Sequence, residues 1–120
     1  MIGNLFQDAT PPAGAERFDV LLNHRNLVVE RIVSSATTTP QEYVQAQDEW
    51  VALLSGEATL RVAGDAVELK AGDHLFLPAG APHTVERVSE GAMWLAVHLH
   101  PEHARSPASN ETTNAAVNRN

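Results

Sequence analysis

The chain of 120 residues contains no cysteine. Disulfides, thiolate nucleophiles and cysteine–zinc centres are thereby excluded. Basic residues are scarce as well: 8 Lys and Arg face 15 Asp and Glu, for a net charge of −7, and the few cations do not cluster. A nucleic-acid or anionic-membrane surface is disfavoured on that ground. No apolar run approaches the roughly 18–20 residues of a membrane helix. The N-terminus lacks the basic-then-apolar layout of a secretory leader, Met1–Thr10 carrying a single charge on Asp8. A cytoplasmic location is the expectation. A convincing helical period is also missing.

What is present is β-chemistry. Short runs rich in β-branched residues recur every 8–12 residues: Phe18–Leu22, Leu27–Val33, Glu49–Leu54, Ala58–Val62, Ala66–Leu69, His74–Leu77, His83–Val88 and Ala92–His100. Between them stand turn formers such as Ser55-Gly56, Ala63-Gly64-Asp65, Ala71-Gly72-Asp73 and Glu90-Gly91. This spacing predicts an all-β fold, a small antiparallel sandwich or barrel. Residues 1–16, with Pro11-Pro12-Ala13-Gly14, read as a flexible lead-in, 17–103 as the barrel, and 104–120 as a disordered tail with almost nothing to bury.

One stretch stands out. Gly72-Asp73-His74-Leu75-Phe76-Leu77-Pro78-Ala79-Gly80-Ala81-Pro82-His83 combines a turn, an apolar strand and a stiff Pro/Gly corner that delivers a histidine to the next strand. Such a corner holds His83 at a defined place, as metal ligands and catalytic bases are held.

These residues resemble the cupins, double-stranded β-helix or jelly-roll barrels. The second cupin motif, G-x5-P-x-G-x2-H-x3-N, is matched by Gly72, Pro78, Gly80 and His83, with Arg87 where Asn would stand. The first, H-x-H-x3–4-E-x6-G, is matched by Glu49 and Gly56, while Tyr43 and Gln45 occupy the two histidine positions. The resemblance implies a divalent transition metal (Fe, Mn, Ni, Co or Zn) held by Gln45, Glu49 and His83, and no organic cofactor. It implies catalytic roles for Tyr43, Glu49 and His83, and substrate contacts from Tyr43 and Arg87. The other reading of Gln45, Glu49 and His83 is a buried hydrogen-bonded network that needs no metal.

Strand parity adds expectations. Glu49 shares a face with Val51 and Leu53, and His83 shares one with Val85 and Arg87. In the last strand Met93, Leu95, Val97 and Leu99 form the more apolar face and are expected in the core. His98 and His100 then point outward, into a surface patch with His103 or a dimer contact. If the strand is turned the other way, His98 supplies a further metal ligand. Trp50 and Trp94 are expected to face away from the site, and His74 to lie on the surface. Arg87 would pair at the barrel mouth or grip an anionic group.

Two functions remain open at this point. One is a metal-dependent isomerase, lyase or cyclase acting on a small oxygen-rich or anionic molecule. The other is a metal-free module that binds or senses a small ligand without catalysis. The expected partner is a second copy of the chain in a homodimer.

Overall fold

The structure, a computed structural model, describes residues 2–102. The tail expected to be disordered, 104–120, and His103 lie outside the described residues. Nine strands run in the order β1 (Glu16–His24), β2 (Leu27–Ser34), β3 (Glu42–Tyr43), β4 (Asp48–Ser55), β5 (Glu57–Val62), β6 (Asp65–Lys70), β7 (His74–Leu77), β8 (His83–Val88) and β9 (Ala92–Leu99). They form a five-stranded sheet, β1-β2-β9-β4-β7, and a four-stranded sheet, β3-β8-β5-β6. All pairings are antiparallel. No helix of the described residues is long and apolar enough to cross a membrane.

The period-2 patterns explain the layering. Val51, Leu53, Trp94, Ala96 and Leu77 of the larger sheet pack on Ala58, Leu60 and Leu69 of the smaller one. The outer face of the larger sheet is also apolar. One cross-strand row runs through every strand in register: Leu22, Val29, Val97, Trp50 and Phe76. Trp50 therefore faces away from the site, as expected, with its ring 5.4 Å from that of the exposed His74.

That second apolar face overturns the expectation for β9. Trp94, Ala96 and His98 turn inward and are buried, whereas Leu99 is exposed. With greasy side chains on both faces, apolarity alone could not tell which face is the core. Trp94 belongs to the core, and its indole N–H donates to the Ser34 hydroxyl (3.1 Å).

The expectation for Arg87 is overturned by a bulge. Leu60 pairs with Val85, but Thr59 pairs with Arg87, so Glu86 is an extra residue and the parity of β8 changes there. Arg87 is exposed and within reach of the Thr59 hydroxyl (3.4 Å), while Val88 packs on the core. Arg31, on the outer face of β2, binds Asp19 and the backbone carbonyls of Leu5, Gln7 and Asp8.

The first-motif glycine has a steric reason. Gly56 has φ +91°, and a Cβ there would stand 2.6 Å from Ser89 Oγ and 2.9 Å from Ala92 Cβ. Gly56→Ala is expected to cost about 2–3 kcal/mol, from the left-handed backbone and the contact with Ala92 together. A thermal melt checks it, and a variant as stable as the parent contradicts the account.

Candidate functional site

The corner after β7 does more than present a histidine. Gly80, at φ +85°, donates its N–H to the Gln45 carbonyl (2.8 Å), and the Ala79 N–H donates to Asp48 Oδ1 (2.8 Å). The Pro78–Pro82 segment thus fixes the link between β3 and β4, which carries Gln45 and Gln47. The two halves of the site are held by one set of backbone bonds.

His83 opens β8 directly opposite Tyr43, and their rings stack with centroids 5.9 Å apart. Its Nδ1 lies 3.2 Å from the Ala81 carbonyl, so Nδ1 carries the hydrogen and, in the neutral ring, Nε2 keeps its lone pair. Nε2 points at Glu49 Oε1 across 3.9 Å, too far for a direct hydrogen bond. Glu49 Oε1 accepts from the Gln45 amide (3.0 Å). Both Glu49 and His83 are buried.

On the other side of Glu49 stands His98, its neighbour across β4 and β9. Its Nε2 lies 3.9 Å from Glu49 Oε2 and donates to Glu30 Oε1 at 3.0 Å, and its Nδ1 accepts from the Gln47 amide at 3.2 Å. The result is an alternating row, His83–Glu49–His98–Glu30. It borders a partly open cavity of about 60 Å³, further lined by Glu16, Tyr43 and Gln45 and walled by Phe18, Ile32, Val51, Leu60, Leu77, Val85 and Trp94. Three carboxylates face this space, and no Lys or Arg lines it.

A larger depression, of about 600 Å³, lies over β5, β6 and the end of β8. It is wide open, and its Glu57, Glu68, Lys70, Asp73 and Arg87 are exposed or half-exposed. The buried polar groups converge on the smaller cavity, which is the candidate site.

Of the residues expected from sequence, Tyr43, Gln45, Glu49, His83 and His98 meet at this cavity, and Arg87 does not. Glu16, Glu30 and Gln47 were missed. A signal for Glu30 existed: in Leu27–Val33 adjacent residues Glu30 and Arg31 must take opposite faces, so one charge has to enter the barrel.

The donor set does not fit the expected metal. Tyr43 and Gln45 replace two imidazoles, and His98 spends Nδ1 on Gln47 and its N–H on Glu30. The two imidazoles address different oxygens of Glu49, and among the described residues no three His, Asp or Glu side chains are placed to hold one ion.

The two facing antiparallel sheets and the cavity between them define a barrel of the cupin type. The chain belongs to the cupin-domain family, whose pattern matches residues 28–103. It is 32% identical over 81 residues to an uncharacterized protein of Streptomyces coelicolor, covering 68% of this chain and 77% of that one. Its fold is similar to that of a Ralstonia eutropha JMP134 protein whose name assigns it provisionally as a mannose-6-phosphate isomerase. That match has a TM-score of 0.74 and 36% identity, over 84% of this chain and 99% of the other. An RmlC-like cupin from Shewanella frigidimarina shares the fold at TM-score 0.68 and 17% identity, over 78% and 84% of the two chains.

Proposed function

We propose that the barrel cavity binds a small uncharged molecule bearing a carbonyl and a hydroxyl group, and shifts a proton on it, with His83 as the base. The observation that carries this reading is the lone pair of a buried imidazole aimed into a cavity, its other nitrogen locked by the Ala81 carbonyl and its plane held by Tyr43. Isomerisation is the reaction class, and it agrees with the activity in the name of the Ralstonia neighbour. The phosphate in that name has no counterpart here, because no cation lines the cavity and burying an uncompensated anion beside three carboxylates is costly. Size points the same way. About 60 Å³ holds a handful of water-sized groups, far below the roughly 300–1,000 Å³ of an ordinary ligand pocket.

The test is deuterium wash-in. Hydroxyaldehydes and hydroxyketones of two to four carbons are incubated with the protein in D2O, and exchange at the carbon next to the carbonyl is followed by NMR. Exchange that persists after chelation supports the reading. Binding without exchange replaces it with the ligand-binding module. One tightly held transition-metal ion per chain, required for exchange, returns the metal-dependent enzyme.

The outer face of the larger sheet supports a second copy of this chain as partner. Its row of Leu22, Val29, Val97, Trp50 and Phe76 leaves Phe76 56% and Leu22 47% exposed, a continuous apolar surface of the kind that closes symmetrically on itself. Sedimentation is expected to give twice the chain mass of 12.9 kDa, and Trp50→Asp to give the monomer. A parent protein that sediments as a monomer at micromolar concentration overturns this.

A further inference from the structure

The two sheets leave one side of the sandwich open. β1 ends the larger sheet and β3 ends the smaller one, and among the described residues no pairing joins them. At this gap lies a second space of about 220 Å³, more than three times the inner cavity of about 60 Å³. The two spaces share Glu16, Phe18, Tyr43 and Val85 as lining, so they meet at a neck made by these four side chains. The outer space is completed by Gly14 and Ala15 ahead of β1, and by Thr38, Thr39 and Gln41 of the link between β2 and β3.

One buried residue fixes the shape of this outer space. Ser35 is 3% exposed. Its N–H donates to the Ala15 carbonyl (3.1 Å), and its hydroxyl accepts from the Gly14 N–H (3.3 Å), which ties down the lip ahead of β1. Its carbonyl accepts from the Thr38 N–H (3.1 Å) and from the Thr38 hydroxyl (2.7 Å), which ties down the other lip. Thr38 therefore spends its one O–H on Ser35 and keeps its oxygen lone pairs as acceptors. Thr39 and Gln41 are exposed and carry donors and acceptors both. The other polar side chains of the lining are the Glu16 carboxyl and the Tyr43 phenol, and no Lys or Arg is among them. Arg87 borders a separate depression of about 180 Å³, which shares Thr38 and Val85 with this one.

We propose that this outer space is a second subsite, which holds the uncharged, polyhydroxylated chain of a sugar whose carbonyl end enters the inner cavity. The reacting end rests on the proton-transfer reading above, whereas the binding of the chain does not. Volume divides the ligand in this way. At roughly 10–15 Å³ for each water-sized group, the inner cavity takes a carbonyl with its neighbouring hydroxyl-bearing carbon and little more. The outer space takes the rest of a five- or six-carbon chain and leaves room for water. Chemistry divides it too. Hydroxyl groups give and take hydrogen bonds, which matches the acceptors of Thr38 and Glu16 and the mixed groups of Thr39 and Gln41. A phosphate or a carboxylate would bring its charge to a lining that offers no cation. At the neck, Phe18, Tyr43 and Val85 present apolar walls to the C–H faces of the chain.

The subsite is tested without turnover by polyols, which lack a carbonyl. Glycerol, erythritol and xylitol are titrated into the protein while backbone amide shifts are followed by NMR. Affinity is expected to rise about tenfold from glycerol to xylitol, the worth of one or two net hydrogen bonds. The amides of Gly14, Thr39 and Gln41 are expected to shift with xylitol. Thr39→Val combined with Gln41→Leu removes a hydroxyl and an amide at nearly constant volume, and is expected to erase that rise. In the deuterium assay the same variant is expected to slow exchange on a five-carbon ketose about tenfold relative to dihydroxyacetone. Affinity that does not grow with chain length, or shifts that leave those amides untouched, overturn the outer subsite whatever the exchange assay gives. A rise that survives the double variant overturns the roles of Thr39 and Gln41. Xylitol 5-phosphate binding more tightly than xylitol overturns the uncharged chain and turns the far end of the ligand towards Arg87. A rise with chain length in a protein that catalyses no exchange overturns the proton-transfer reading alone, and the subsite stands.

Discussion

His83→Ala is expected to lower deuterium exchange by about 10²–10⁴-fold while shifting the melting temperature by only a few degrees. The first half follows from the lone pair: no other imidazole nitrogen in the cavity has one to spare, because His98 gives Nδ1 to Gln47 and its N–H to Glu30. The second half follows from what His83 leaves behind. Its hydrogen bond is to a carbonyl at a half-buried corner, and it makes none with Glu49, whose Oε1 retains the Gln45 amide. The corner itself is held by Gly80 to Gln45 and Ala79 to Asp48, bonds between groups that the substitution does not touch. A variant that melts more than about 10 °C lower yet keeps most of its exchange would make His83 a structural member of a buried network, not a base.

Much of the fold was legible because turn chemistry is local. Gly56, Gly64, Gly72 and Gly91 stand at strand ends where φ is positive, and the strands inferred between them differ from those observed by a residue or two. The partnership of Glu49 and His83, with Tyr43 and Gln45 beside them, was legible through the spacing of the cupin motifs. The rest of the site was hidden for three physical reasons. Parity on β9 was ambiguous because Val97 and Leu99 belong to an apolar outer face, so hydrophobicity pointed His98 and Trp94 the wrong way. Parity on β8 was broken by a one-residue bulge, which no periodic argument reveals before the partner strand is known. Glu16 and Glu30 reach the cavity from β1 and β2, outside both motifs, and Gln47 acts through His98 from a bend inside the first motif where no motif position marks it. A barrel closes over residues that are far apart in sequence, and only the register brings them to one point.

Glu30→Ala is expected to have the opposite signature from His83→Ala: a large loss of stability. Glu30 and His98 are 1% and 2% exposed, and their contact at 3.0 Å lies deeper than any other pairing of titratable side chains among the described residues. Truncating the carboxylate strands the His98 N–H in the barrel. Gln47 cannot relieve it, since its amide is already turned to Nδ1 on the other edge of the ring, and Glu49 Oε2 is 3.9 Å away. Removing one partner of a buried pair of this kind costs about 3–5 kcal/mol. At roughly 4–8 °C per kcal/mol for a domain of this size, the melting temperature should fall by well over 10 °C. Glu30→Gln keeps an oxygen for the imidazole N–H and should lose much less. The double replacement Glu30→Leu with His98→Phe removes donor and acceptor together, and should recover part of what Glu30→Ala loses, because matched apolar side chains leave nothing unpaired. Chemical denaturation of the three variants orders them. If Glu30→Ala unfolds within about 1 kcal/mol of the parent, the pair does not hold the barrel together.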